Sequence, residues 1–188
     1  MGSKLIVDSR LIAEGTNYQA VVFTSVRDDG SGGAAAPAAG DWQGIVVQKG
    51  GQVELQNAIV RYAATGVRGE AGSSLSVRHS FISQVSANAI RGFRLAAVAV
   101  TDSAVGETGG AAMIIDSPHL DPEQLSGNIA GGIAGMQLGG TFTHSGVLKE
   151  NGLIAQIGTD QRDDLTVAAD TTLAIPEGQI VKGTWGGS

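Results

Sequence analysis

Two neighbouring stretches decide the fold of this chain: GQVELQNAIVRYAATGVRG at residues 51–69 and SSLSVRHSFISQVSANAIRG at residues 73–92. Aligned by their polar centres, they match at a constant offset of 22 residues. The matched pairs are Val53 and Leu75, Leu55 and Val77, Asn57 and His79, and Ile59 and Phe81. A third copy, VAVTDSAVGETGGAAMII at residues 98–115, continues the series at an offset of 23. Periods of this length indicate a stacked repeat architecture.

Within each copy, apolar residues alternate with polar ones, which is the period of a β-strand with one buried face. Leucine-rich repeats have a similar period, but this chain lacks their longer leucine skeleton and fixed Asn. We therefore predict that each copy is one coil of short strands, and that stacked coils pair like strands in parallel around an apolar column. The predicted column contains Val53, Leu55, Ile59, Leu75, Val77, Phe81, Val98 and Val100.

A polar ladder accompanies the repeat, because Asn57, His79 and Asp102 occupy the same position in the three copies. The pattern places them in phase with the apolar residues, where a polar side chain must find hydrogen-bond partners. We expect them to lie at a tight turn and to bond backbone groups, a role that Asn performs well. The alternative is a polar rung that takes part in chemistry.

The composition excludes several classes of protein. The chain has 188 residues with 42% hydrophobic and 4% aromatic content, so it is long enough for one aliphatic core. A net charge of −6 argues against a nucleic-acid partner, which needs a basic surface. The absence of Cys excludes disulfides and thiolate metal sites. No apolar run is long enough to span a bilayer, and MGSKLIVDSR is too soon polar for a signal peptide.

Three segments resemble a family of bacterial β-helix surface and secreted proteins within the pectate-lyase-like superfamily. They are KLIVDSRLIAEGTNYQAVVFTSVRDDGSGG at residues 4–33, PAAGDWQGI at 37–45 and LTVAADTTLAIPEGQIVKG at 165–183. The resemblance implies an all-β, right-handed parallel β-helix that forms a single module over residues 1–188. We expect about eight coils of 22–23 residues, with loop insertions near residues 28–41 and 116–128.

The order of the segments differs from the family pattern, in which the coil similar to residues 165–183 precedes the coil similar to residues 4–16. The C-terminal coil therefore resembles the natural predecessor of the N-terminal one. Either copies stack head to tail, or the chain is one module of a longer repeat array; a monomer with fraying termini is the remaining alternative. The predicted end-to-end contact comprises Leu5, Val7, Ile180, Val181 and Trp185.

Carboxylates are the main candidates for a bound ion. Asp28, Asp29 and Asp41 flank the insertion and are weak candidates for Ca²⁺, which takes six to eight oxygen ligands. The segment between Asp29 and Asp41 carries no charge, so we expect these residues to cap turns and expect no cofactor. Adjacent pairs such as Asp163–Asp164 point to opposite faces of a strand and make poor acid–base partners.

Catalytic motifs are missing from the sequence, which contains neither HExxH nor GxSxG. An arginine-lined groove of a polysaccharide lyase is the strongest enzymatic hypothesis, and its candidates are Arg61, Arg68, Arg78, Arg91 and Arg94. The alternative is that these residues are solvated charges at strand ends. We therefore expect no catalytic residue and a structural or adhesive module, with a lyase or glycoside hydrolase as the second hypothesis.

Two further segments interrupt the repeat. Residues 116–128 predict a protruding loop or one short helical turn that begins at Asp121 with Pro122 in its first position. KENG at residues 149–152 predicts a hairpin. Together with the resemblance, the pattern favours an extracellular or cell-surface location with the signal outside this chain. The expected partners are other copies or flanking modules, and carbohydrate as a further ligand.

Overall fold

A computed structural model describes residues 2–33, 36–131, 135–149 and 153–183, which form an all-β parallel β-solenoid of about six coils. The strands in chain order are β1 (Leu5–Val7), β2 (Arg10–Glu14), β3 (Val21–Phe23), β4 (Ile45–Val47), β5 (Gln52–Gln56), β6 (Ala58–Arg61), β7 (Val67–Gly69), β8 (Ser74–Arg78), β9 (Phe81–Ser83), β10 (Ile90–Gly92), β11 (Ala97–Thr101), β12 (Ala104–Val105), β13 (Met113–Leu120), β14 (Ile129–Ala130), β15 (Gly135–Phe142), β16 (Gly146–Val147), β17 (Ile154–Ile157), β18 (Leu165–Val167), β19 (Leu173–Ala174) and β20 (Val181–Gly183). Two short 3₁₀ helices cover Asp29–Ser31 and Pro122–Leu125.

Three sheets run along the solenoid, and all pairings between these strands are parallel. Face A contains β1, β4, β7, β10, β13, β15, β17 and β20 in that order, with β18 also paired to β15. Face B contains β2, β5, β8 and β11, and face C contains β3, β6, β9, β12 and β14. A two-stranded sheet of β16 and β19 follows in the coils nearest the C-terminus. Each strand is therefore paired with its counterpart one coil away.

The predicted register is confirmed at each matched strand. Val53 pairs with Leu75 and Leu75 with Val98 on face B, while Phe81 pairs with Ile59 on one side and Ala104 on the other on face C. The predicted number of coils was too high. Leu5 pairs with Ile45, an offset of 40 residues, so the first coil alone uses far more chain than the repeat period.

The buried column follows the predicted phase on face B but not on face C. Val53, Leu55, Leu75, Val77, Val98 and Val100 are buried. Ile59 is only half-buried and Phe81 is 42% exposed, so the prediction was wrong for these two residues. Val60 and Ile82 are buried in their place. The reason is the corner before each strand, where one extra residue in the left-handed conformation shifts the alternation by one position.

The interruption at residues 116–128 is resolved in favour of the short helical turn. The Asp121 side chain accepts a hydrogen bond from the Glu123 N–H, which caps the 3₁₀ helix Pro122–Leu125. Residues 116–120 belong to strand β13 rather than to a protruding loop, and Leu125 is buried. The predicted KENG hairpin falls on residues 150–152, which lie outside the described residues.

Candidate functional site

The polar ladder lies at the corner between faces B and C. Asn57, His79 and Asp102 have φ values of 47°, 46° and 50°, the left-handed conformation that a tight corner requires. Their N–H groups donate to carbonyls of the next coil at 3.1–3.2 Å. The Asn57 Nδ2 donates to the Gly15 carbonyl at 3.2 Å. His79 and Asp102 are exposed, so the ladder shapes the corner outside the buried phase that the pattern suggested.

A second ladder lies on the core side of the same corner and was missed by the sequence analysis. Ser80 Oγ accepts the Ala58 N–H at 3.1 Å, and Ser103 Oγ accepts the Ser80 N–H at 3.2 Å. Asn128 Oδ1 accepts the Ser103 N–H at 3.2 Å. Each of these three polar side chains is buried, and together they satisfy backbone groups that would otherwise be unpaired in the core. The available signal was a Ser directly after His79 and after Asp102.

Asp28 anchors the insertion that follows β3. Its carboxylate is 3% exposed and accepts hydrogen bonds from the Thr24 hydroxyl at 2.6 Å and from Arg61 at 2.6–2.7 Å. The Thr24 bond, followed by the hydrogen bond and charge of Arg61, lowers the pKa of Asp28 although burial opposes the shift. The Gly30 N–H also donates to the carboxylate at 3.2 Å. Asp28 is thus the link between the insertion and strand β6.

Asp41 closes the other end of the insertion. Its carboxylate accepts the Ala38 N–H at 3.0 Å and the Ser25 hydroxyl at 2.7 Å, and the two bonds lower the pKa of Asp41. Arg27 lies 3.4 Å away. Asp29 is exposed at the start of the 3₁₀ turn. Within the described ranges, no group of three or more His, Cys, Asp or Glu residues is arranged to hold a metal ion.

The shifted pKa of Asp28 leads to a testable pH dependence. Because the folded-state pKa lies below the ordinary value of 3.8, the ionised group stabilises the fold above that value. This stabilisation is lost as the pH falls through the lower folded-state pKa. We expect Asp28→Asn to lower the melting temperature at pH 7 and to flatten its decline in acid. Asp29→Asn is the matched control, and equal behaviour of the two variants in thermal melts from pH 7 to pH 2 would contradict the assignment.

The five candidate arginines do not converge on one groove. Arg68 and Arg91 pair in register on face A, where Arg68 contacts Glu70 at 3.0 Å and Arg91 contacts Asp160. Arg78 lies at the end of a face B strand, and Arg61 on face C holds Asp28. Arg94 has a left-handed conformation next to Phe93. The lyase hypothesis predicted that these five arginines line one groove, and that prediction was wrong.

A shallow groove of about 560 Å³ lies over the outer surface of face B. Small residues, including Ser74, Ser76, Ala97 and Ala99, line it. Two hydrogen bonds lie beside these small residues. Arg78 donates to Gln124 at 3.2 Å, and Arg10 donates to Glu54 at 2.7 Å. The Glu54 carboxylate is thus already engaged by a guanidinium. The groove therefore presents hydroxyl, amide and charged groups to solvent.

The two ends of the solenoid leave core-side residues uncovered. Leu5 pairs with buried Ile45 and yet is exposed, and Val181 pairs with buried Ala155 and is also exposed. Val7 is buried, whereas Ile180 is exposed. Trp185, the remaining residue of the predicted contact, lies outside the described residues. Of the two 3₁₀ helices in the described part of the chain, Asp29–Ser31 buries no residue, and Pro122–Leu125 packs on β11, the last strand of face B, and on β16.

The geometry defines an all-β parallel β-solenoid, and in its described part the terminal strands β1 and β20 carry the exposed core-side residues Leu5 and Val181. Comparisons with protein-family models, curated proteins and solved structures find no match to this chain. Within the ranges described, neither helical segment has the length and apolar character needed to cross a membrane. The class of protein therefore follows from the fold and from the contacts described above.

Proposed function

We propose that this chain is a non-enzymatic structural module of a bacterial extracellular or cell-surface protein, and that its solenoid continues through further coils at both ends. Those coils belong to a second copy or to a neighbouring module of the same protein. The observation that carries the proposal is the pair of open ends. Strand edges without a partner and exposed core-side residues such as Leu5 and Val181 favour addition of another coil.

The strand order supports a defined junction. β1 is the first strand of face A and β20 is its last, so β20 of one unit can pair with β1 of the next. Val181 and Leu5 are both on the core side and would meet in the continued column. Such a contact joins two different surfaces and need not close, so repeated copies would form a filament.

The resemblance to β-helix surface proteins supports the same function and the external location. Residues 165–183 resemble the coil that precedes the N-terminal coil in that family, so the sequence order agrees with continuation across the junction. An adhesive role through carbohydrate is part of the proposal, and the polar groove on face B is the surface that favours it. The fold class alone does not distinguish stalks from adhesins or enzymes.

A tandem fusion tests the continuation directly. Two copies joined at residue 188 should unfold in one cooperative transition at a higher temperature than a single chain, because the junction buries both open ends. Val181→Lys at the junction should separate the fusion into two independent transitions, since the Lys charge would be buried without a partner. Thr166→Lys, an exposed outward position on β18 in the preceding coil, is the control.

Single chains give the second readout. Light scattering and electron microscopy should show concentration-dependent filaments for the wild type and for Thr166→Lys, and shorter or no filaments for Val181→Lys. A wild-type fusion with two independent transitions would overturn the proposal. If the fusion is cooperative but single chains stay monomeric, the continuation is supported only within a longer protein.

The second candidate function is a polysaccharide-active enzyme, favoured by the groove on face B. Incubation with uronic-acid polymers should release no unsaturated product if the module is structural. Product that persists in Asp28→Ala/Asp29→Ala but disappears when Glu14 and Glu54, which line the groove, are replaced by Gln would instead assign chemistry to that surface.

A further inference from the structure

An apolar ladder crosses the outer surface of face C. Its five residues are in register from one coil to the next: Val22, Ile59, Phe81, Ala104 and Ile129. Val22 and Phe81 are each 42% exposed and Ile129 is 47% exposed, while Ile59 and Ala104 are half-buried. At the strand spacing of a β-sheet, the ladder is about 19 Å long. Outward positions of a solvated sheet normally carry polar residues, so this surface is a candidate interface.

The corresponding outer ladders of the other faces contain charged residues. The central outward positions of face A include Arg68, Arg91 and Lys182. On face B, Ile12 is followed in register by Glu54, Ser76 and Ala99. Face C is therefore the only one of the three sheets whose described central ladder lacks charge and polar atoms. The contrast argues that face C is covered in the functional assembly.

We propose that face C is the contact between two copies of this chain that lie side by side in antiparallel orientation about a two-fold axis. In that orientation Phe81 faces Phe81, Ile59 faces Ala104, and Val22 faces Ile129. Phe81 meets Phe81 in either orientation, but in the antiparallel pair Ala104, the smallest residue of the ladder, lies opposite the larger Ile59. A parallel pair would place Ala104 against Ala104 and Ile129 against Ile129. The two alanines would then leave a gap next to the two larger isoleucines.

Charges at the margins of face C favour the same orientation. Asp102 lies at the margin shared with face B. At the opposite margin Arg61 is the last residue of β6 and Glu107 follows β12. An antiparallel pair brings Arg61 of each copy, which also holds Asp28 of its own chain, opposite Glu107 of the other. A parallel pair brings Asp102 opposite Glu107, and like charges at an interface are unfavourable.

The size of the surface predicts a weak contact. A stable pair of proteins buries about 800 Å² on each partner. The area of a ladder that is about 19 Å long on strands about 10 Å in length is smaller than that. The pair should therefore dissociate on dilution and become firm only where copies are arrayed, because linked contacts reinforce one another. This proposal does not depend on continuation of the solenoid at its ends.

The test is a concentration series by sedimentation velocity and small-angle scattering on chains that carry Val181→Lys to suppress end-to-end contacts. We expect a monomer–dimer equilibrium whose scattering fits a side-by-side pair. Phe81→Lys and Val22→Lys, on two different strands, should each raise the dissociation constant about tenfold or more. Gln52→Lys, an exposed position on face B, should leave the constant unchanged. Circular dichroism melts establish that the variants are folded.

A charge substitution tests the orientation. Glu107→Lys should weaken an antiparallel pair, because the new cation would face Arg61, and should strengthen a parallel pair by facing Asp102. Dimers that persist in 0.5 M NaCl are expected for an apolar contact, since salt screens exposed charges. A chain that stays monomeric up to about 1 mM, where even millimolar affinities are detected, would overturn the proposal. Equal weakening by Phe81→Lys and Gln52→Lys would also overturn it.

Discussion

Replacing Leu55 with Asp should abolish the folded solenoid. Leu55 is 1% exposed and lies in β5, where it pairs with Ala13 on one side and Val77 on the other. An isolated buried charge without a partner costs several kcal/mol even after relaxation. Domains are stable by only about 5–15 kcal/mol, and the coils above and below lose their support when one coil opens. We expect no cooperative thermal transition and no native β-sheet signal in circular dichroism.

Gln56→Asp is the matched control for this prediction. Gln56 is the next residue of the same strand, is exposed, and points away from the core. The same charge at that position should change the melting temperature by only a few degrees, because surface substitutions usually lie within about 0.5 kcal/mol. A Leu55→Asp chain that melts at the wild-type temperature would show that the buried register on face B is misassigned.

Gly44→Ala should be the most damaging single-methyl change. Gly44 precedes β4 with a φ of +94°, and a Cβ there would lie 1.7 Å from the Thr65 carbonyl oxygen of the next coil. Backbone of the neighbouring coil cannot yield without breaking the pairing between β4 and β7. The strained conformation and the overlap together should cost about 3 kcal/mol or more. Urea unfolding should show this loss as a shift of the midpoint to lower concentration.

Gly50→Ala separates the cost of the strained backbone conformation from the cost of the steric overlap. Gly50 has a φ of +79°, but no heavy atom lies within 4 Å of a Cβ built there. Its replacement should cost only about 1 kcal/mol, the conformational cost of a side chain at positive φ. If both Ala variants unfold at the same urea concentration, the close approach between coils at Gly44 does not limit stability.

The repeat and its register can be predicted from the amino-acid sequence alone. Offsets of 22 and 23 between copies such as Val53, Leu75 and Val98 predict the observed pairings, because each strand pairs with its own counterpart one coil away. The buried phase on face B followed from strict alternation within β5 and β8, and the offset of 23 carries it to Val98 and Val100 of β11. The sequence left two alternatives at residues 116–128, a protruding loop or a short helical turn from Asp121 with Pro122 in its first position, and the structure contains the turn.

The tertiary structure decided what happens at corners and between distant segments. The left-handed residue at Asn57 or His79 shifts the alternation, so Phe81 faces solvent although its sequence phase predicts burial. The bond between Asp28 and Arg61 joins residues far apart in the chain, and no period relates them. The number of coils depended on how much chain the first one uses. Local patterns specify strands and their stacking, whereas corner geometry and long-range contacts decide which side chains the finished surface presents.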